Sequence, residues 1–249
     1  MTKHTLTTFP NGKQAIVIPL DPTEDLTATL QTAGLQTTAP TLVIIGGASQ
    51  MTQESIDRVH QLFQTVLAPL AEALHAVVID GGTDTGVMQM IGQARTAMGG
   101  TFPLIGVAPA SKVSLPDGSH AAPDSEPLEP NHTHFVLTPG TEWGDESPWI
   151  SAIASLLAVD RGAVTVLING GAVSLLEVSE SIRAGRPVVV IAGSGRLADE
   201  IATAIASPGT LPRDAIAPLL TSKHLLVFDR DKPLSALTDL LKQHLMRQD

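Results

Sequence analysis

The stretch Val164–Glu177, VTVLINGGAVSLLE, decides how the rest of the chain is read. Five apolar or β-branched residues run into Asn169-Gly170-Gly171, and a helical pattern follows through Ser174 and Glu177. An uninterrupted apolar run is how a strand buried on both faces reads. Glycines let the backbone turn sharply and approach a ligand closely. The free N–H groups of the helix's first turn then favour an anion.

Similar junctions recur outward from this one, at Ile45-Gly46-Gly47-Ala48-Ser49, at Asp80-Gly81-Gly82-Thr83-Asp84-Thr85-Gly86 and at Gly193-Ser194-Gly195-Arg196. Between them lie helical periodicities, such as Ile56, Val59, Leu62, Phe63, Val66 and Leu67, with Pro69 expected to kink or divide that helix. Strands alternate with helices from residue 41 onward. The pattern predicts an α/β fold: a Rossmann-like, doubly wound, mostly parallel sheet with helices on both faces.

Ahead of that sheet, HTLTTF and KQAIVIPL flank Pro10-Asn11-Gly12 and predict an N-terminal β-hairpin. Asp21 is the expected N-cap of a short helix, with Pro22 at its first position and Gly34 at its end. Residues 111–131, rich in Pro, Ser and Asp, predict an excursion or lid loop. Beyond a break at Pro208-Gly209, a helix is expected over Arg213–Leu220, then a last strand near Leu225–Asp229 and a C-terminal helix. The expected organisation is a single domain over 1–249: hairpin and short helix to residue 38, core from 40 to 205, and a C-terminal extension from 206.

Composition narrows the function. With 43% hydrophobic residues and no Tyr among only 3% aromatics, the 249 residues support a large aliphatic core. A formal net charge of −10 argues against a nucleic-acid surface but leaves room for a small phosphorylated ligand. The absence of Cys excludes disulfides, a thiolate nucleophile and Cys-ligated metal. The N-terminus lacks a long apolar region, and no run of eighteen apolar residues occurs. The expectation is a soluble cytoplasmic protein with no membrane segment.

Ligands of doubly wound sheets bind beyond the carboxyl ends of the strands. Four strands ending in glycine turns, with Ser49, Thr83, Thr85, Ser174 and Ser194 beside them, point to phosphate or ribose. Neither the G-x-G-x-x-G fingerprint nor a P-loop is present, which disfavours NAD oxidoreductases and P-loop ATPases. His132 and His134 would share one face of a strand and could converge on one ligand, but without HExxH or a third ligand zinc is disfavoured and no metal is assigned. Trp143 and Trp149 would either stack on a base or pack under a loop. Lys112 and Arg196, just past strand ends, are candidate phosphate contacts set against plain solvation. Glu177 could be the acid or base of an N-glycosidic cleavage, or could simply complement the helix dipole.

Six segments carry a family resemblance: LVIIGGA (42–48), IDGGTDTGVMQMIGQA (79–94), LIGVAPASKV (104–113), LEPNHTHFVL (128–137), VTVLINGGAVSLLE (164–177) and RPVVVIAGSGRLADEI (186–201). In this order they resemble the SLOG superfamily, in its prokaryotic LSDAT branch related to the N-terminal cytosolic region of TRPM channels. The resemblance implies a Rossmann-like fold and a nucleotide-derived ligand of the ADP-ribose type. It places ligand contacts on Gly46, Gly47, Ala48, Ser49, Gly81, Gly82, Thr83, Thr85, Gly86, Gly170, Gly171, Ala172, Ser174, Gly193, Ser194, Gly195 and Arg196, and NHTHF adds Asn131, His132 and His134. No cofactor beyond that ligand is implied. The implied role is a free-standing sensor or ligand-binding protein, and fold analogy adds a homo-oligomer paired through helices.

LOG-type phosphoribohydrolases of the same superfamily carry PGGxGTxxE. Here Gly170, Gly171 and Glu177 match, while Asn169, Val173 and Ser174 depart from the pattern. The helix preceding the motif, WISAIASLLAVD, has no arginine before Arg161, where those enzymes carry a catalytic one. The resemblance therefore implies binding first and hydrolysis by Glu177 as the alternative.

Overall fold

A computed structural model describes residues 4–119, 122–207, 214–229 and 232–246. In chain order its elements are β1 (Thr5–Thr8), β2 (Gln14–Pro19), α1 (Leu26–Thr32), β3 (Thr41–Gly46), α2 (Gln53–Leu62), α3 (Ala68–Ala73), β4 (Val77–Asp80), α4 (Gly86–Ala97), β5 (Leu104–Pro109), β6 (Val113–Ser114), β7 (Glu126–Pro127), β8 (His134–Thr138), α5 (Ser147–Leu157), β9 (Ala163–Ile168), α6 (Ala172–Arg183), β10 (Val188–Ile191), α7 (Arg196–Ala206), β11 (Leu225–Phe228) and α8 (Leu234–Leu245).

Nine strands form one sheet in the order β1-β2-β8-β5-β4-β3-β9-β10-β11, parallel throughout except for the β1–β2 hairpin. This is the Rossmann-like, mostly parallel sheet that the alternating pattern predicts. The central strands read as continuous apolar runs because both faces are covered. Leu42, Ile44, Val78, Val164 and Val166 meet the residues of α2, α3, α4 and α8. Val43, Ile45, Ile79, Leu167 and Val190 meet those of α1, α5, α6 and α7. From β3 the chain winds outward through β4 and β5 to β8, then returns to β9 on the other side of β3 and winds away through β10 and β11. The order therefore reverses between β3 and β9, which is where such sheets open a ligand crevice.

Several local expectations are corrected. Asp21 does not cap a helix. It accepts Thr23 N–H at 2.9 Å in a turn of its own, and Asp25 caps α1 by accepting from Thr27 and Ala28. Pro69 does divide its helix: a π-helical turn over Phe63–Leu67 separates α2 from α3. The wider turn fits a residue that has no N–H to give and whose ring would crowd the preceding turn. Residues 214–221 form turns rather than a helix, while Pro208-Gly209 and Arg213 lie outside the described residues. The 111–131 excursion is tied down at both ends, by the short β6–β7 pair and by a bridge from Leu128 to Thr83. The N-terminal hairpin joins the sheet as an edge, β2 running parallel to β8 with Ile16 opposite His134.

Candidate functional site

The turns after β3 and β9 touch at the switch point. Gly46 has φ +131°, and a Cβ added there would lie 1.8 Å from the Ile168 carbonyl oxygen, so only glycine allows the two strand ends this close. Gly86, the first residue of α4, abuts the same turn, 3.2 Å from Ala48 N at its would-be Cβ. Asn169 then ties three turns together. Its backbone N–H donates to Ser194 Oγ at 2.7 Å, and its Nδ2 donates to the carbonyls of Ser194 (3.0 Å) and Ser49 (3.2 Å). Its Oδ1 accepts Gly170 N–H at 2.8 Å. The residue sits at φ +57°, a conformation open to Asn and closed to Pro.

The α6 N-terminus stands at this switch point. Its N-cap is Gly171, no side chain caps it, and its first turn carries no acid. Arg196, exposed at the start of α7, lays its guanidinium on Gly171: Nη2 is 2.9 Å from where a Cβ would stand. Among the described residues it forms no ion pair. A guanidinium against the positive end of a helix is two like charges in contact. An anion bound between them would be attracted by both.

Acidic groups lie further along α6 and at the head of α5. Glu177, one turn into α6, is 8% exposed, and burial, then the neighbouring charges of Glu146 and Asp80, raise its pKa well above the ordinary value. Glu146 at the head of α5 is 4% exposed; burial raises its pKa too, against the N–H of Gly144 that it accepts at 2.7 Å. Burial thus favours the protonated form of Glu177, and a protonated carboxyl can donate a hydrogen bond as well as accept one. No arginine of α5 reaches it. Arg186, whose pKa burial lowers to about 10, bonds Ser151 O at 2.8 Å and Ser155 Oγ at 2.9 Å further along α5.

Beneath the Gly81-Gly82 turn lies a buried charged triad. His132 Nε2 donates to Asp80 Oδ1 at 2.9 Å and Nδ1 to Glu129 Oε2 at 2.8 Å, and Asp80 Oδ1 also accepts Gly82 N–H at 2.7 Å. Burial opposes the imidazolium, but the two carboxylates outweigh it and raise His132 to about 9. Glu129 fits because α4 carries Gly92, where a Cβ would stand 2.2 Å from its Oε2. The expected convergence of His132 and His134 is corrected: His132 stacks on Phe135, while His134 turns to the Ala33 carbonyl at the end of α1, across the sheet.

Other expected contacts are already engaged. Lys112 pairs with Asp124 at 2.8 Å in the excursion rather than standing free at a turn. Asn131 Oδ1 accepts from Lys13 Nζ at 2.9 Å and from Asn11, so it fastens the hairpin. Ser174 is buried against Gly170, and Ser194 Oγ, besides accepting from Asn169, donates to Ile191 O at 2.6 Å. Ser49, Thr85 and Ala172 are exposed at the ends of these turns, with Gly47 and Ala48 half-buried. Trp143 packs in the cluster with Phe9 and Val113, and Trp149 against the core under α5. Asp80, Glu129 and Glu146 were not singled out from the sequence; an acid closing a buried strand directly before two glycines was the signal available for Asp80.

A family model described as SLOG in TRPM, prokaryote, matches residues 39–237. Transient receptor potential cation channel subfamily M member 2 of Mus musculus is 28% identical over 220 residues, 74% of this chain and 14% of the channel. A member-like 2 protein of Nematostella vectensis is 30% identical over 201 residues, 65% of this chain and 13% of that protein. The chain thus corresponds to about one seventh of these channels' length. Among solved structures, the structural-genomics target TM1055 matches with a TM-score of 0.53 at 18% identity, covering 82% of this chain and 98% of that one. The molybdenum cofactor binding protein of Rippkaea orientalis matches at 0.53 and 16%, covering 84% and 98%. These two likenesses concern the fold. Among the described residues no helix is long and apolar enough to cross a membrane.

Proposed function

The chain belongs to the family described as SLOG in TRPM, prokaryote, and on that premise we propose that it binds a nucleotide-derived ligand of the ADP-ribose type at the β3–β9 switch point, as a sensor or ligand-binding protein. One observation carries the reading. The Arg196 guanidinium is held against the uncapped N-terminus of α6 with no countercharge among the described residues. A phosphate there would take charge-assisted hydrogen bonds from Arg196 and from the free N–H groups of α6. Ribose hydroxyls would meet Glu177 and Glu146, which can exchange donor and acceptor roles.

The test is calorimetric titration of the protein with ADP-ribose, AMP, cAMP and NAD, repeated with Arg196→Glu. Binding that weakens about 100-fold or more in the variant, on the order of losing a charge-assisted contact and adding a repulsion, supports the reading. Equal binding by both proteins overturns it.

A hydrolase reading keeps one specific observation, the burial of Glu177 beside Glu146 and Asp80, which raises its pKa. That carboxylic acid could protonate a departing base as water adds to the anomeric carbon. Its neighbour from α5 is another carboxyl group, Glu146, which offers no cation to a phosphorylated substrate. Released base in the same titration samples, lost in Glu177→Ala, would establish this reading over simple binding.

A further inference from the structure

A cavity of about 270 Å³ lies on the other side of the Gly193-Ser194 turn, bounded by α2, the ends of β10 and β11, and α8. Its floor is apolar, made by Val59, Leu62, Phe228 and Leu237, all buried. Among the described residues its charged lining is Arg58 and Lys232, both exposed cations, with no carboxylate. In a chain of net charge −10 this is a local reversal of sign. Among the described residues Arg58 pairs with Glu54, one turn back on α2, in a pair whose side chains are 55% and 77% exposed. Exposed pairs of this kind are worth roughly 0–1 kcal/mol, so the guanidinium is easily recruited. The turn itself offers little to an anion, since Gly193 N–H is held by Asp199 Oδ1 at 2.5 Å and Ser194 Oγ is engaged on both sides. Charge recognition here falls to the two side chains.

The volume decides the size of the guest. Pockets for drug-sized ligands run from roughly 300 to 1,000 Å³, so this one takes a single ring system and not a dinucleotide. We propose that it is a second small-molecule pocket that takes a compact aromatic anion, its ring on the floor formed by Val59, Leu62, Phe228 and Leu237 and its phosphate or carboxylate between Arg58 and Lys232. Such a guest has two sources: the far end of a nucleotide whose phosphate lies at Arg196, or a separate molecule. The pocket itself requires neither Arg196 nor α6, so it stands apart from the switch-point reading.

Phenyl phosphate and AMP serve as probes, titrated calorimetrically against the wild-type chain, Ser55→Trp (which fills the cavity from α2), the double variant Arg58→Glu/Lys232→Glu, and Arg196→Glu. With the switch-point phosphate site removed by Arg196→Glu in each chain, phenyl phosphate is expected to bind at least tenfold more weakly to both cavity variants. AMP weakened tenfold by the cavity variants as well as by Arg196→Glu identifies one nucleotide spanning both sites. AMP weakened by Arg196→Glu alone identifies a separate guest. The double variant changes only exposed side chains, so the test survives a folding defect in Ser55→Trp. If neither probe is weakened by either cavity variant, or neither binds, the inference is overturned. Failure of the switch-point reading would instead be read from AMP and ADP-ribose insensitive to Arg196→Glu.

Discussion

Asn169 and Ser194 are bonded twice across neighbouring strand ends: Ser194 Oγ accepts Asn169 N–H at 2.7 Å, and Asn169 Nδ2 donates to the Ser194 carbonyl at 3.0 Å. The β9 and β10 turns therefore form one rigid unit, and the second Nδ2 contact, to Ser49 O, adds the β3 turn. Asn169→Ala removes both side-chain donations and leaves buried backbone groups unpaired, at about 1–3 kcal/mol. It also puts a methyl side chain at φ +57°, at roughly 1–2 kcal/mol. With about 2–4 °C lost per kcal/mol in a chain this long, the melting temperature should fall by about 4–20 °C. Asn169→Gly should recover the backbone part alone. Thermal melts of the two variants check this; equal losses would show that φ plays no part.

The sheet and its switch point were legible because buried parallel strands leave an unmistakable apolar run and because close strand ends demand glycine. The pairing partners inside the site were not. Asp80 reads as part of a glycine turn, Glu129 as part of a proline-rich loop, and His132 as half of a His-x-His pair. Their union depends on α4 carrying glycine at position 92, which admits the Glu129 carboxylate. Nothing in local spacing encodes a contact between residues 80 and 132. The helix start at Asp25 was missed for a local reason: Asp21 and Asp25 are both good caps, and the turn that Asp21 forms with Thr23 used it first.

Gly46 should be the least replaceable of the turn residues. Gly46→Ala sets a Cβ 1.8 Å from Ile168 O at φ +131°, which forces β3 and β9 apart. Overpacking and backbone strain of about 1–3 kcal/mol each predict a loss of about 2–6 kcal/mol. Gly34→Ala is the internal control: it has φ +85° but no atom within 4 Å, so only the strain of the backbone is felt. Chemical denaturation of both variants measures the difference, and equal losses would contradict the strand-contact account.

His132→Gln should expose the triad. It strands two buried carboxylates that had shared one imidazolium, and breaking a buried pair costs about 3–5 kcal/mol. An unfolded imidazole titrates near 6.5 and the folded one at about 9. The folded state therefore keeps a proton that the unfolded state releases, and the stabilisation is complete below 6.5 and disappears as pH rises through about 9. The melting-temperature gap between wild type and His132→Gln should be widest near pH 6 and narrow by pH 9.5. A gap that widens with pH would show that the ring is neutral.

Glu177 has the opposite chemical type and the same sign of linkage. Its carboxyl titrates near 4.5 in the unfolded chain and well above that when folded, because burial and then Glu146 and Asp80 disfavour the anion. Above pH 4.5 the unfolded state releases a proton that the folded state must keep, so wild-type stability declines as pH rises toward the folded value. Glu177→Gln has no proton to keep. Its melting temperature should match the wild type near pH 4 and exceed it increasingly as pH rises from 5 toward the folded value, by about 2–4 °C for each kcal/mol recovered. Because the amide retains a donor and an acceptor in the same place, the variant should still bind AMP while losing any base release. A melting difference independent of pH would mean that Glu177 is ionised in the folded protein. The acid would then repel a phosphate at Arg196 rather than donate to a ribose beside it.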